Sequence, residues 1–79
     1  MQTATQDSPV VLITAGANGI GRCMAETFLS NNYRVHVCDV SQQAMDTFLS
    51  ANPSATGTLA DVSKVADVDR LFDELIERY

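Results

Sequence analysis

Gly16, Gly19 and Gly21 lie between an apolar run, Val10 to Ile13, and a helical pattern that opens near Arg22. A turn of this kind aims backbone N–H groups at an anion and lacks the Cβ atoms that would hold the anion off. The chemistry it suits is the holding of a pyrophosphate. Two carboxylates stand further along: Asp39 ends the next apolar stretch, twenty residues after Gly19, and Asp61 follows the one after that. An acid in the first of these places accepts hydrogen bonds from both hydroxyls of an adenosine ribose. It also repels a 2′-phosphate, and Val40 and Ser41 bring no cation to offset the charge, so NAD is preferred over NADP. Three glycines alone are a weak signal, because turns also use them for conformational reasons. The strand before, the helix after and the acid beyond give them weight.

The elements that must position these groups follow from periodicity. Val10 to Ile13 is continuously apolar, as in a parallel strand covered on both faces. Ile20, Met24, Ala25, Phe28 and Leu29 recur at helical spacing, with Arg22 and Glu26 toward solvent, and Asn31-Asn32 closes the helix. Arg34 to Cys38 reads as a second strand ending in Asp39. Ser41 caps a second helix with Ala44, Met45, Phe48 and Leu49 on one face, stopped by Asn52-Pro53. Ala55 to Leu59 is the third strand. Ser63 then caps a long helix with Val65, Val68, Leu71, Phe72, Leu75 and Ile76 as its apolar set. Asp67 and Asp69 near its start and Arg78 near its end suit the helix dipole.

This order, β-α-β-α-β-α, is an α/β class fold, a Rossmann-type parallel sheet with the first strand at one edge. The first two helices share one face of the sheet and the third crosses to the other. That arrangement leaves an unpaired apolar edge and one thinly covered face. The expectation is a flexible lead over residues 1–8 and, over residues 9–79, the N-terminal half of a dinucleotide-binding Rossmann domain, incomplete as a domain.

Composition narrows the function classes. Seventy-nine residues make at most one small domain. A net charge of −5 supplies no basic stripe for nucleic acid. No apolar run approaches the roughly 18 residues of a membrane span, and the first residues carry no signal-peptide pattern. Cys23 and Cys38 have no disulfide or zinc spacing and read as packed, reduced thiols, which fits a cytoplasmic protein. With His36 the only histidine, no metal site is expected.

Thr14-Ala15-Gly16-Ala17-Asn18-Gly19-Ile20-Gly21 resembles the T-G-x-x-x-G-[IL]-G motif of the short-chain dehydrogenase/reductase family. Asp39 is similar to that family's NAD-selecting acid, and Asp61-Val62 resembles its D-V pair after the third strand. The resemblance implies that Gly16, Asn18, Gly19, Ile20, Gly21, Asp39, Asp61 and Val62 bind the cofactor. Asn18 would meet the ribose or a phosphate, and Ile20 would offer its N–H to the pyrophosphate. Asp61 would meet the adenine amino group, and the N–H of Val62 the ring. Ala15 stands where the family has its first glycine, and the loop accommodates its methyl group if the local φ is negative.

The family's catalysis rests on a serine and a Tyr-x-x-x-Lys pair. Lys64 is the only lysine and Ala60 stands four places before it, so the chain carries no catalytic residue of that set. The resemblance therefore implies the NAD-binding portion of an enzyme that transfers hydride between nicotinamide and an alcohol or carbonyl. Its partner would be the remainder of that enzyme, as further chain or a separate fragment, in a homo-oligomer. The alternatives are a non-catalytic nucleotide-binding module and a fragment of an S-adenosylmethionine-dependent methyltransferase. The latter class usually carries an acid at the end of its first strand, where this chain has Thr14.

Overall fold

The computed structural model describes residues 7–79. Six elements alternate: β1 (Val10–Thr14), α1 (Gly19–Ser30), β2 (Arg34–Asp39), α2 (Gln42–Ala51), β3 (Thr56–Leu59) and α3 (Val65–Arg78). The strands form one parallel sheet in the order β1-β2-β3. Val10 pairs with Arg34 and His36 with Thr56. This is the Rossmann-type arrangement of three strands and three helices expected from the sequence.

Side chains alternate across a strand, so each strand serves two layers. Ile13, Val35 and Val37 meet Ala25 of α1 and Met45 and Phe48 of α2 in one apolar core. On the opposite face, Leu12 and Cys38 pack with Ala60 and with Leu71 of α3. β2 is central, and its residues Val35 to Cys38 are all buried. Val10, Val11 and Leu12 of the edge strand β1 are only half-buried.

Local chemistry sets the element ends. Asn18 caps α1, its side chain accepting the Gly19 N–H, and Ser41 caps α2 by accepting the Ala44 N–H at 3.1 Å. Asn32 takes φ +69° just beyond α1, the left-handed conformation that asparagine tolerates at a helix end. The expected cap of the third helix is corrected: Lys64 occupies the N-cap position of α3 without a side-chain bond. Ser63 instead turns back and gives both its N–H and its hydroxyl to Asp61.

Two apolar stripes are less buried than their spacing predicts. Ile20 is 82% exposed and Met24 49%, so α1 meets the sheet chiefly through Ala25, whose small side chain lets the helix lie close. On α3 only Leu71 is fully buried, while Val65, Phe72 and Ile76 stay exposed. The α3 stripe is wider than the strip of sheet beneath it. Arg22 departs from its expected solvent position: its guanidinium lies 5.9 Å from the Phe48 ring centre and its Nε bonds Glu26 at 3.1 Å. Glu26 also accepts from Asn52 at 2.9 Å, so this cluster ties α1 to the end of α2.

Of the lead expected over residues 1–8, residues 1–6 lie outside the described residues. Ser8 is buried, and its carbonyl accepts from Arg34 Nε at 2.8 Å. The carbonyl of Pro9 accepts the Arg34 N–H at 2.8 Å. Arg34 at the start of β2 thus reaches across to the two residues that precede β1.

Phe48 is fully buried between α2 and the sheet. Phe48→Ala removes the largest side chain of that core and is expected to destabilise the chain by about 3–5 kcal/mol. Chemical denaturation followed by circular dichroism measures this, with the transition shifted to low denaturant or lost.

Candidate functional site

The glycine turn leaves β1 directly and runs into α1, so its shape is set by how closely those elements approach. A Cβ on Gly16 would stand 2.6 Å from Val37 Cγ1 and 2.9 Å from the Ile13 carbonyl oxygen. A Cβ on Gly21 would collide with the Ala15 carbonyl. These two glycines let the turn lie against β2 and α1 lie against the turn. Gly19 differs from both. Its φ is +55° and nothing lies within 4 Å of its Cβ position, so this side of the turn is open to an approaching group.

The condition for accommodating the Ala15 methyl group without strain is not met. The φ of Ala15 is +53°, not negative. An L residue in that region is strained by roughly 1–2 kcal/mol, because its Cβ crowds the following carbonyl. The turn keeps the left-handed step that a glycine takes freely and imposes it on alanine.

The open side of the turn carries donors. Asn18 Oδ1 accepts the Gly19 N–H at 2.9 Å, which occupies its carbonyl and leaves its amide Nδ2 as a donor. The N–H groups of Ile20 and Gly21 lie in the first turn of α1, where no earlier helical carbonyl can accept them. No acidic residue stands in that first turn to compete with an anion for the positive end of the helix.

Asp39 lies at the carboxyl end of β2. Its Oδ2 accepts the Ala17 N–H at 3.3 Å and its Oδ1 accepts the Ser41 N–H at 3.2 Å. One carboxylate thus joins the glycine turn to the loop that starts α2, and each oxygen retains a further lone pair. Asp61 follows β3. The Ser63 hydroxyl at 2.6 Å and the Ser63 N–H at 2.9 Å both reach its Oδ1 and hold its carboxyl below its ordinary value of 3.8. Its own N–H donates to Asp67 Oδ2 at 2.9 Å.

Asp39, Val40, Asp61 and Val62 line one cleft with Ala15 and Ala60, at the carboxyl ends of the three strands. Val40 and Val62 are 71% and 53% exposed, two apolar side chains at its mouth. Cys38 forms part of its floor, and burial pushes that thiol up, so it packs in its protonated form. The sequence-predicted residues therefore fall into two neighbouring groups. Gly16, Asn18, Gly19, Ile20 and Gly21 belong to the turn, while Asp39, Asp61 and Val62 belong to the cleft, and the Asp39–Ala17 bond connects them.

Two features of the site were missed in the sequence. Asn18 acts as the helix cap, which asparagine directly before a helical pattern signals. Val40 lines the cleft, and its signal is an apolar residue that follows a strand-end acid and leaves the strand alternation. Among the described residues, no group of three His, Cys, Asp or Glu could hold a metal ion, and no helix is long and apolar enough to cross a membrane.

A parallel sheet with its ligand-facing groups at the carboxyl strand ends, opened by a glycine turn at a helix N-terminus, defines a Rossmann-type nucleotide-binding unit. Comparison with known proteins makes this specific. The family model for short chain dehydrogenases matches residues 9–79. Sorbitol dehydrogenase of Cereibacter sphaeroides is 35% identical over 74 residues, covering 92% of this chain and 29% of that protein. An NAD-dependent glycerol dehydrogenase of Listeria innocua is 31% identical over 71 residues, covering 89% of this chain and 28% of that protein. The crystal structure of a variant of actinorhodin polyketide ketoreductase with NADPH superposes with a TM-score of 0.93 at 33% identity. That superposition covers 98% of this chain and 31% of the ketoreductase.

The chain belongs to the short-chain dehydrogenase family. It spans about a third or less of the length of these three relatives. Membership favours the dehydrogenase over the methyltransferase alternative.

Ala15→Gly relieves the left-handed strain but adds freedom to the unfolded chain. The two effects leave an expected gain of about 0.5–1 kcal/mol. A rise in the urea midpoint at unchanged slope checks it, whereas a fall would show that the methyl group contributes packing that outweighs the strain.

Proposed function

We propose that residues 9–79 are the N-terminal half of a dinucleotide-binding domain and hold the adenosine and pyrophosphate of NAD. The whole enzyme is then an oxidoreductase that passes hydride between the nicotinamide and an alcohol or carbonyl carbon. The observation that carries this reading is the joining of turn and cleft through Asp39, which sets an anion-accepting helix terminus beside a ribose-accepting carboxylate.

Each residue then has a task. The Ile20 and Gly21 N–H groups meet the pyrophosphate, and Gly19 supplies the open surface that lets it approach. Asn18 offers its amide to a phosphate or to the ribose. Gly16 keeps the turn close to β2. Asp39 accepts the ribose hydroxyls with its remaining lone pairs. Asp61 accepts from the adenine amino group, and the Val62 N–H donates to the ring, between the side chains of Val40 and Val62. The nicotinamide, when bound, supplies the hydride acceptor or donor, and the groups that move the substrate proton lie outside residues 9–79.

Both cofactor types occur among the related proteins, one described as NAD-dependent and one crystallised with NADPH. The preference for NAD is supported here by charge. Asp39 and Asp61 both face the cleft, and in the adjoining pocket the single lysine, Lys64, stands with Asp61 and Asp67. A 2′-phosphate placed there meets like charge at short range. The reading extends to a homo-oligomeric enzyme and to a cytoplasmic location, which two cysteines that form no disulfide suit.

The test is calorimetric titration of the polypeptide carrying residues 9–79 with NAD and with NADP. NAD is expected to bind more tightly. Asp39→Ala is expected to weaken NAD on the order of 10- to 100-fold, the loss of hydrogen bonds to a charged acceptor, and to weaken NADP far less. Binding of NADP as tight as NAD in the unaltered protein, or binding of neither by a folded protein, would overturn the proposal.

A further inference from the structure

His36 sits at the middle of β2 with no exposed surface, on the face covered by α3. Both ring nitrogens have partners on the neighbouring strand: Nδ1 lies 2.6 Å from Thr56 Oγ1 and Nε2 lies 2.8 Å from Thr58 Oγ1. Each threonine in turn reaches a residue of the last helical segment. Thr58 donates to Glu74 Oε1 at 3.4 Å, and Thr56 Oγ1 lies 2.7 Å from the Tyr79 hydroxyl. The Tyr79 ring stands edge-on to the imidazole, with centroids 6.3 Å apart.

The directions of these bonds follow from one fact, that a carboxylate only accepts. The Thr58 hydroxyl gives its hydrogen to Glu74, so its oxygen is left to accept, and Nε2 must carry the imidazole hydrogen. Nδ1 is then bare and accepts from Thr56. The Thr56 hydroxyl has spent its hydrogen and accepts from Tyr79. With His36 neutral and protonated on Nε2, every member of the row has a partner.

We infer that His36, Thr56 and Thr58 form a proton-sensitive clasp that holds the C-terminal turns of α3 against the sheet and loosens when the imidazole takes up a second proton. Protonation at Nδ1 sets two donors, N–H and O–H, against each other at Thr56. The Thr56 hydroxyl must then reverse and donate to Tyr79, whose own hydrogen turns to solvent. What opposes the cation is its place: it has no exposed surface and is poorly compensated, and freeing the turns of α3 above it lets water reach it. On α3 it faces one acid, Glu74, and one guanidinium, Arg78. β3 presents only its two threonines, and β1 places Leu12 opposite. On β2, Arg34 lies 5.2 Å from the Tyr79 ring centre, adding a second positive group beside the clasp.

Burial and the Arg78 charge push the His36 pKa below its ordinary 6.5. In the window between the folded and unfolded pKa values, the released or unfolded form binds more protons than the docked form. Docking is therefore at full strength above about 6.5 and weakens as pH falls from there toward the folded value.

Hydrogen exchange and imidazole nitrogen shifts, read by NMR on the full chain, test the clasp. At about pH 7.5 His36 is expected as the Nε2–H tautomer. On lowering to about pH 5.5, with intrinsic rates corrected, the amides of Leu75 to Tyr79 are expected to lose about tenfold more protection than those of β2. His36→Gln offers an acceptor and a donor but cannot titrate, and it should remove this pH dependence. Should that variant fail to fold, Tyr79→Phe is the substitute: it cuts the outer link and should lower protection of the same amides already at the higher pH. An Nδ1–H tautomer, or loss of protection spread evenly over sheet and helix, would overturn the inference.

Discussion

The site depends on how closely α1 can start to the end of β1. Gly16 lies against Val37 and Gly21 against the Ala15 carbonyl with no room for a side-chain carbon at either place. That contact turns the chain sharply enough to aim the first N–H groups of α1 outward over the carboxyl ends of the strands. It also brings Ala17 within reach of Asp39, so the carboxylate is oriented by the turn beside it. The cost of this geometry falls on Ala15, whose left-handed backbone is stabilised by contacts on both sides rather than by its own preference.

Much of this was legible in the sequence. The β2 core is a short run of apolar and β-branched residues, and β1 is continuously apolar, so both could be read as strands of a parallel sheet. Asp39 and Asp61 follow their strands at the spacing that brings them to one end of the sheet, and the structure sets them in one cleft. What stayed hidden depends on who meets whom. The sign of φ at Ala15 is decided by the tight approach of α1, not by alanine itself. Ser63 looks like a helix cap in sequence, yet the nearby Asp61 carboxylate captures both of its donors. Periodicity placed Ile20, Phe72 and Ile76 on apolar faces but could not say how much of each face has something to cover.

The two faces of the sheet differ in kind. The face under α1 and α2 is an aliphatic and aromatic core, closed by Phe48, Met45 and Ala25. The face under α3 is half polar, with His36, Thr56 and Thr58 hydrogen-bonded in a row beside a small apolar patch around Leu71 and Cys38. Hydrogen bonds demand particular partners where apolar contact accepts many. The first face therefore supplies most of the cohesion, and the second fixes how α3 sits. The partners of this mid-strand histidine lie twenty and twenty-two residues away on β3, so the residues around it in sequence do not disclose them.

Arg34 has a role beyond the bonds it makes. Its backbone N–H holds the Pro9 carbonyl and its guanidinium holds that of Ser8, at the end of the sheet away from the glycine turn. At the other end Gly16 donates to the Cys38 carbonyl at 3.2 Å. β1 is thereby pinned to β2 at both ends, like a ruler held at its first and last marks. A slip of one residue would exchange the two faces of β1, sending Leu12 toward the aliphatic core and Val11 and Ile13 under α3. Arg34 guards the alignment of an edge strand whose own side chains are too alike, Val10, Val11, Leu12 and Ile13, to specify it.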